Sequence, residues 1–178
     1  MLQSASHCFA PICDAHTRLL ILGSLPGEKS LELGQYYGNP RNQFWSILGE
    51  IIGANLPLLS YEAKLAELWV HRIGLWDVVA SAERRGSLDQ DLRSIRDNDL
   101  MELIDRLPSL CAIAFNGQTA AKLGHKQFRH VERLEGRVAL IDLPSTSPAN
   151  TAAYAEKAAH WAILRSYISS AEHRGNRI

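Results

Sequence analysis

Four short apolar runs punctuate the chain: RLLIL at 18–22, IGLWDVV at 73–79, CAIAF at 111–115 and VALIDL at 138–143. Runs of that length with little polar alternation predict strands buried on both faces, as in a parallel sheet. Between them apolar residues recur at three and four residue steps. Asn39-Pro40 is expected to open a helix to about Ile52, with Phe44, Ile47, Leu48, Ile51 and Ile52 on its stripe and Gly53 ending it. Ser60 is expected to cap a helix through about His71 that buries Leu65, Leu68 and Trp69. A further helix starts at Asp97 or Asn98 and stops near Leu107-Pro108, and a short one spans Gln118 to Leu123, closed by Gly124. The closing helix runs from Tyr154 to Ser169 with Tyr154, Ala158, Trp161, Leu164 and Ile168 on one face. Residues 82–96 carry both charge signs and read as a polar loop with room for one helical turn.

Strands alternating with helices predict an α/β fold, a three-layer α/β/α sandwich around a central, mostly parallel four-stranded sheet. Residues 1–170 form one expected domain, after a lead-in over 1–17, and residues 171–178 read as a frayed tail. In such folds the ligand crevice lies beyond the carboxyl ends of the strands. Two unusual segments, GSLPG at 23–27 and LPSTSPAN at 143–150, follow strands directly and are placed on that rim.

Composition adds little. With 46% hydrophobic and 21% charged residues the chain has the make-up of an ordinary globular domain. Lys and Arg total 19, as do Asp and Glu, so a polyanionic partner would need a local positive face. Lys29, Arg41, Arg84, Arg85, Lys122, Lys126 and Arg129 are the candidates, against the alternative of ordinary solvated charges. No apolar stretch approaches the ~20 residues that cross a bilayer, and the amino terminus lacks a signal-peptide order, so a cytoplasmic protein with no membrane partner is expected. Three cysteines argue against a disulfide framework. His7, Cys8, Cys13 and His16 lack the spacing of a standard zinc site, and no metal is expected there.

The chemistry concentrates between Leu19 and Trp45, LLILGSLPGEKSLELGQYYGNPRNQFW, where a buried strand empties into a long polar and aromatic loop. GSLPG has Leu25 where a nucleophile elbow needs Ser, and neither a dinucleotide fingerprint nor a phosphate loop occurs. Its glycines serve either a turn or the close approach of backbone to a ligand.

Taken together, GSLPG, YYGNPRNQFW and LPSTSPAN resemble the uracil-DNA glycosylase superfamily, and within it the hypoxanthine-DNA glycosylase (DNA-deoxyinosine glycosylase) branch. Mismatch-specific uracil glycosylases have a similar layout, with a Gly-x-x-Pro-Gly turn, an aromatic twelve residues after the middle of that turn, an Asn-x-Phe-Trp helix start and a late Pro-Ser loop. Here the aromatic is Tyr37, counted from Leu25, and the helix start is Asn42-Gln43-Phe44-Trp45. Many relatives hold the attacking water with Asp or Asn where this chain has Leu25, and often carry His or Asn where it has Leu143. Three cysteines cannot supply the four-cysteine iron–sulfur site of some thermophile relatives.

The resemblance implies a monofunctional, cofactor-free, monomeric glycosylase that acts on DNA containing deaminated bases. It flips hypoxanthine out of the duplex and leaves an abasic site. Asn42 would take over the orientation of water, against a competing role as helix cap. Tyr37 would stack the flipped base, with Tyr36 or Phe44 as substitutes, although Phe44 also fits the apolar stripe. The backbone N–H groups of Ser24 and Leu25 would face the leaving purine. Asn116 is either a further donor or a helix cap, and Asp77 either a supporting acceptor, a second water holder or a turn residue. Pro144, Ser145, Thr146 and Ser147 would grip phosphates with Lys29 and Arg41, or form a plain loop. Lys29, the nearest amine, does not suggest a lyase step. Two alternatives stay open: a uracil-preferring member of the superfamily, and a catalytically silent nucleic-acid-binding module.

Overall fold

The structure, a computed structural model, describes residues 5–83, 86–129, 131 and 134–168. The expected tail at 171–178, together with Arg84 and Arg85, lies outside the described residues.

The central sheet has four parallel strands: β2 (Leu19–Gly23), β3 (Ile73–Asp77), β6 (Ala112–Asn116) and β7 (Ala139–Leu143), in the order β3-β2-β6-β7. The fold class is as the sequence predicts. Every residue of β2 is buried, and the period of two sends Leu19 and Ile21 to one face, Leu20 and Leu22 to the other. The first face is covered by α2 (Phe44–Ile52), α3 (Tyr61–Val70) and α6 (Tyr154–Trp161) through Phe44, Ile47, Leu48, Leu68 and Trp161. The second is covered by α4 (Leu100–Asp105) and α5 (Gln118–Phe128) through Leu100, Leu103, Ala120 and Phe128. Ser60 caps α3 as expected, its hydroxyl accepting the Ala63 N–H at 3.2 Å.

Several expectations are corrected. In the stretch 82–96 the expected helical turn is present at Asp89–Asp91, but residues 82–83 and 93–96 are strand rather than loop. β1 (Ser6–His7), β4 (Val79–Glu83) and β5 (Arg93–Asp97) form a second, antiparallel sheet, so IGLWDVV splits after Asp77. All five β5 residues are exposed and the β4–β5 register shifts twice, which removes any alternation from the sequence. A short helix, α1 (Glu28–Leu33), sits in the stretch expected to be loop and ends at Gly34 with φ 62°. Helix α5 runs through Gly124 rather than stopping there, because glycine is what the adjacent Phe115 ring tolerates: a Cβ would enter that ring. Trp69 lies on the exposed side of α3, and α6 tightens into a 3₁₀ turn over Ala162–Ser166.

Candidate active site

All four parallel strands end on one edge, with Gly23 opposite Asp77 and Asn116 opposite Leu143. GSLPG and LPSTSPAN therefore meet on one rim.

Tyr37 stands at this rim with φ 53°, a left-handed conformation that a bulky residue adopts only when its surroundings hold it there. Its ring stacks on Phe44, centroids 3.7 Å apart and planes within 15°. Phe44 itself is fully buried, with Trp45 and Trp161 edge-on to it at 5.0 and 5.9 Å. Phe44 is thus the wall behind Tyr37 and offers no face to a ligand, while Tyr37 remains partly exposed. Tyr36 is also withdrawn from the site, as its hydroxyl donates to the Ala10 carbonyl and its ring meets Phe9 edge-on.

The phenol of Tyr37 leans over Gly23. A Cβ on Gly23 would fall 3.3 Å from the Tyr37 hydroxyl and 2.7 Å from Asp77 Oδ1, so the absence of a side chain lets both converge. Burial, and then the nearby Asp77 charge, push the Tyr37 phenol above the usual tyrosine range, partly opposed by the Asn116 amide. Tyr37 is a neutral hydroxyl at physiological pH. Asp77 is buried, and its carbonyl accepts from Asn98 Nδ2 at 2.8 Å.

Asn42 immediately precedes Gln43, the N-cap residue of α2, whose own side chain makes no cap bond. Asn42 Oδ1 accepts the Phe44 N–H at 3.0 Å, satisfying the first N–H of the helix from one residue upstream of the N-cap, so a capping role is present in the geometry. A carbonyl oxygen has two lone pairs and an amide two N–H donors, which leaves this partly exposed side chain capacity for a water. Capping and water orientation are compatible, and the cap fixes where the amide points.

Asn116 does not cap a helix. It is clamped to Thr146: Asn116 Nδ2 donates to Thr146 Oγ1 and the Thr146 N–H to Asn116 Oδ1, both at 2.9 Å. Gly117, with φ 101°, takes the cap position of α5. Thr146 is fully buried, so its hydroxyl cannot reach a phosphate. Its carbonyl accepts the Gln43 N–H at 3.0 Å, joining this loop to the start of α2. Pro144, Ser145 and Ser147 are partly exposed. The loop is braced from within by Ser147 N–H to Ser145 Oγ and Asn150 Nδ2 to the Ser145 carbonyl.

The GSLPG turn is propped by the second sheet. Ser24 Oγ donates to Asp89 Oδ1 at 2.7 Å, Ser87 Oγ accepts the Glu28 N–H at 3.0 Å, and Leu25 packs with Val79, Ala82 and Leu92. The Leu25 side chain faces away from the rim, so only its backbone can serve there. Of the expected cations, Lys29 is paired with Glu32 at 2.9 Å and Arg41 is exposed. Lys122 and Lys126 lie exposed along α5, and Arg129 is exposed at its C-cap. A cavity of about 470 Å³ opens one step along the rim between α5 and β7, lined by Gly117, Lys122, His125, Asp142 and Pro144 among others; Tyr37 and Asn42 do not line it. Among the described residues no three His, Cys, Asp or Glu side chains converge as metal ligands, and no helix is long and apolar enough to cross a membrane.

Sequence reasoning missed Lys157. It is 2% exposed on α6, and its Nζ donates to Gln43 Oε1 at 2.9 Å and to the Asn150 carbonyl at 2.7 Å. A charge on an otherwise apolar helical face was the available signal.

Fold and rim define a three-layer α/β domain with its site on the carboxyl edge of a parallel sheet. Residues 10–167 match the Uracil DNA glycosylase superfamily, and the chain belongs to that superfamily. It is 39% identical over 158 residues to a hypoxanthine DNA glycosylase of Methanosarcina acetivorans, covering 88% of this chain and 96% of the relative. It is 37% identical over 154 residues to a protein of the same description from Methanosarcina barkeri, covering 86% and 94%. The solution NMR structure of a Methanosarcina acetivorans protein, described as a candidate uracil DNA glycosylase, superimposes with a TM-score of 0.80 at 36% identity, covering 91% of this chain and 97% of that one.

Proposed function

We propose that this protein is a monofunctional DNA glycosylase that hydrolyses the N-glycosidic bond of deoxyinosine, acting as a monomer through the single domain at 1–170 and without a cofactor. The observation that carries the reading is the Tyr37 platform, backed by Phe44, on a chain that matches two hypoxanthine DNA glycosylases over most of its length.

The deaminated nucleotide is turned out of the duplex, because stacking hides both the bond and the base edge. The purine stacks on the Tyr37 ring, which Phe44 backs from the core side. As the bond between C1′ and the purine nitrogen lengthens, the sugar gains oxocarbenium character and the base leaves with the bonding electrons. The backbone N–H groups of Ser24 and Leu25 stabilise that negative charge. Asn42 is a positioning group: its amide aims a water at C1′, the oxygen bonds to carbon, and the water's proton passes to solvent or to the departing purine. An amide cannot act as a base, so the rate gain comes from geometry. Pro144, Ser145, Ser147 and Arg41 meet the flanking phosphates.

Purified protein is tested on duplexes carrying one inosine, with alkaline cleavage of the abasic product. Hypoxanthine release supports the reading, and release of uracil alone moves the protein to a uracil-preferring role, which the description of the NMR-solved relative favours.

A further inference from the structure

Lys157 is unusual. It is 2% exposed, burial alone draws its affinity for a proton down, and no carboxylate among the described residues pairs with it. A buried ammonium without an anion costs stability, and an apolar side chain of similar length would avoid that cost. Its partners point to a use. Both are neutral carbonyl oxygens, one on the side chain of Gln43 at the start of α2, the other on Asn150 at the end of the Pro-Ser loop.

The chemistry of the contact settles how the Gln43 amide is turned. An ammonium has three donors and no acceptor, so the Gln43 atom facing it must be the carbonyl oxygen. The NH₂ group then points the opposite way, and its donors are polarised by the positive charge behind the carbonyl. Gln43 is partly exposed, and its own N–H is bonded to Thr146, which fixes it beside the rim loop. The result is a pair of N–H donors on a partly exposed side chain, turned away from the embedded cation that holds its carbonyl.

We propose that the Gln43 amide, charged from behind by Lys157, is a binding site for a DNA phosphodiester. The inference rests on the glycosylase reading for its ligand class, and a backbone phosphate is the anion that DNA presents to a rim loop throughout binding. Gln43 touches the phosphate, whereas Lys157 acts through it.

The test is the affinity of the full chain for an inosine duplex as salt is raised, with hypoxanthine release followed on the same DNA. Each phosphate neutralised contributes about 0.9 to the slope of log affinity against log salt. Lys157→Met is expected to lower that slope by about that amount, with Lys157→Arg restoring most of it. Gln43→Leu is expected to weaken binding to a similar extent, and the double variant no further, because both act through one contact. An unchanged slope in folded Lys157→Met makes the lysine a structural tie and overturns the proposal. So does a fall in kcat at saturating DNA with the slope intact, which would assign the pair to the leaving base. Should Lys157→Met not fold, Gln43→Leu decides alone: unchanged affinity and slope overturn the site. Absence of hypoxanthine release by the unmodified protein would refute the glycosylase reading and leave the slope result standing.

Discussion

Asn42 and Tyr37 are tied to the same residue: the Asn42 side chain accepts the Phe44 N–H at 3.0 Å, and the Tyr37 ring stacks on the Phe44 side chain with centroids 3.7 Å apart. One buried aromatic therefore holds the Asn42 amide through its backbone and the Tyr37 ring through its side chain, the two groups proposed to orient the water and to stack the base.

Tyr37→Ala removes the platform. Base–aromatic stacking contributes about 1–3 kcal/mol, so single-turnover hypoxanthine release, with enzyme in excess of DNA but below saturation, is expected to fall by roughly 5- to 150-fold. Tyr37→Phe keeps the stack and is expected to retain most activity.

Gly23→Ala places a methyl 2.7 Å from Asp77 Oδ1 and 3.3 Å from the Tyr37 hydroxyl. One or both must move. We expect a loss of about 1–3 kcal/mol in urea-unfolding stability together with a larger loss of turnover, because the displaced phenol belongs to the site.

Asn116→Ala leaves the Thr146 hydroxyl and N–H buried without partners, at a cost of about 1–3 kcal/mol. Thr146→Val removes the hydroxyl but spares the N–H contact, so it is expected to cost less. A double-mutant cycle on urea midpoints should show strong coupling, since both changes act on one clamp.

Tyr36 and Tyr37 both have phenols pushed up from the tyrosine value, chiefly by burial and then by Asp77. Their folded values lie above the unfolded value of about 10, so the stability they contribute is complete below that pH and is lost as pH rises beyond it. Lys157, with its proton affinity lowered, works in the opposite direction. The comparison of variants isolates the tyrosines: between pH 9 and 11, Tyr36→Phe is expected to lose stability less steeply than the unmodified protein, by up to about 1.4 kcal/mol per pH unit. Denaturant midpoints across that range check it.

The parts of the molecule that can be read from the chain are those in which local pattern and final burial agree. β2 and the first four residues of β6 are continuous apolar runs, and both strands are buried throughout; Ser60 precedes an apolar period and caps α3. The shared rim follows from parallel order alone. β5 left no pattern because every residue in it is exposed, and Gly124 looks like a helix end until Phe115 is found against it. The roles of Thr146, Asp89 and Lys157 depend on partners 30, 65 and 114 residues away, and no local spacing encodes such contacts. Asn116 shows the same limit, since a residue type suited to capping is claimed instead by the loop that follows the neighbouring strand, 30 residues on in the chain.

The central claim is that the Asn42 amide orients the attacking water in addition to accepting the first N–H of α2. Serine can accept the same N–H through its hydroxyl but has no side-chain carbonyl or amide to aim a water, so Asn42→Ser separates the two roles. The decisive measurement is single-turnover hypoxanthine release by Asn42→Ser at saturating DNA, with its melting temperature recorded alongside. The account predicts near-normal melting and binding with release slowed by roughly 10²-fold or more, the scale of a misplaced reactant. Release at the unmodified rate by a stable Asn42→Ser protein would contradict it.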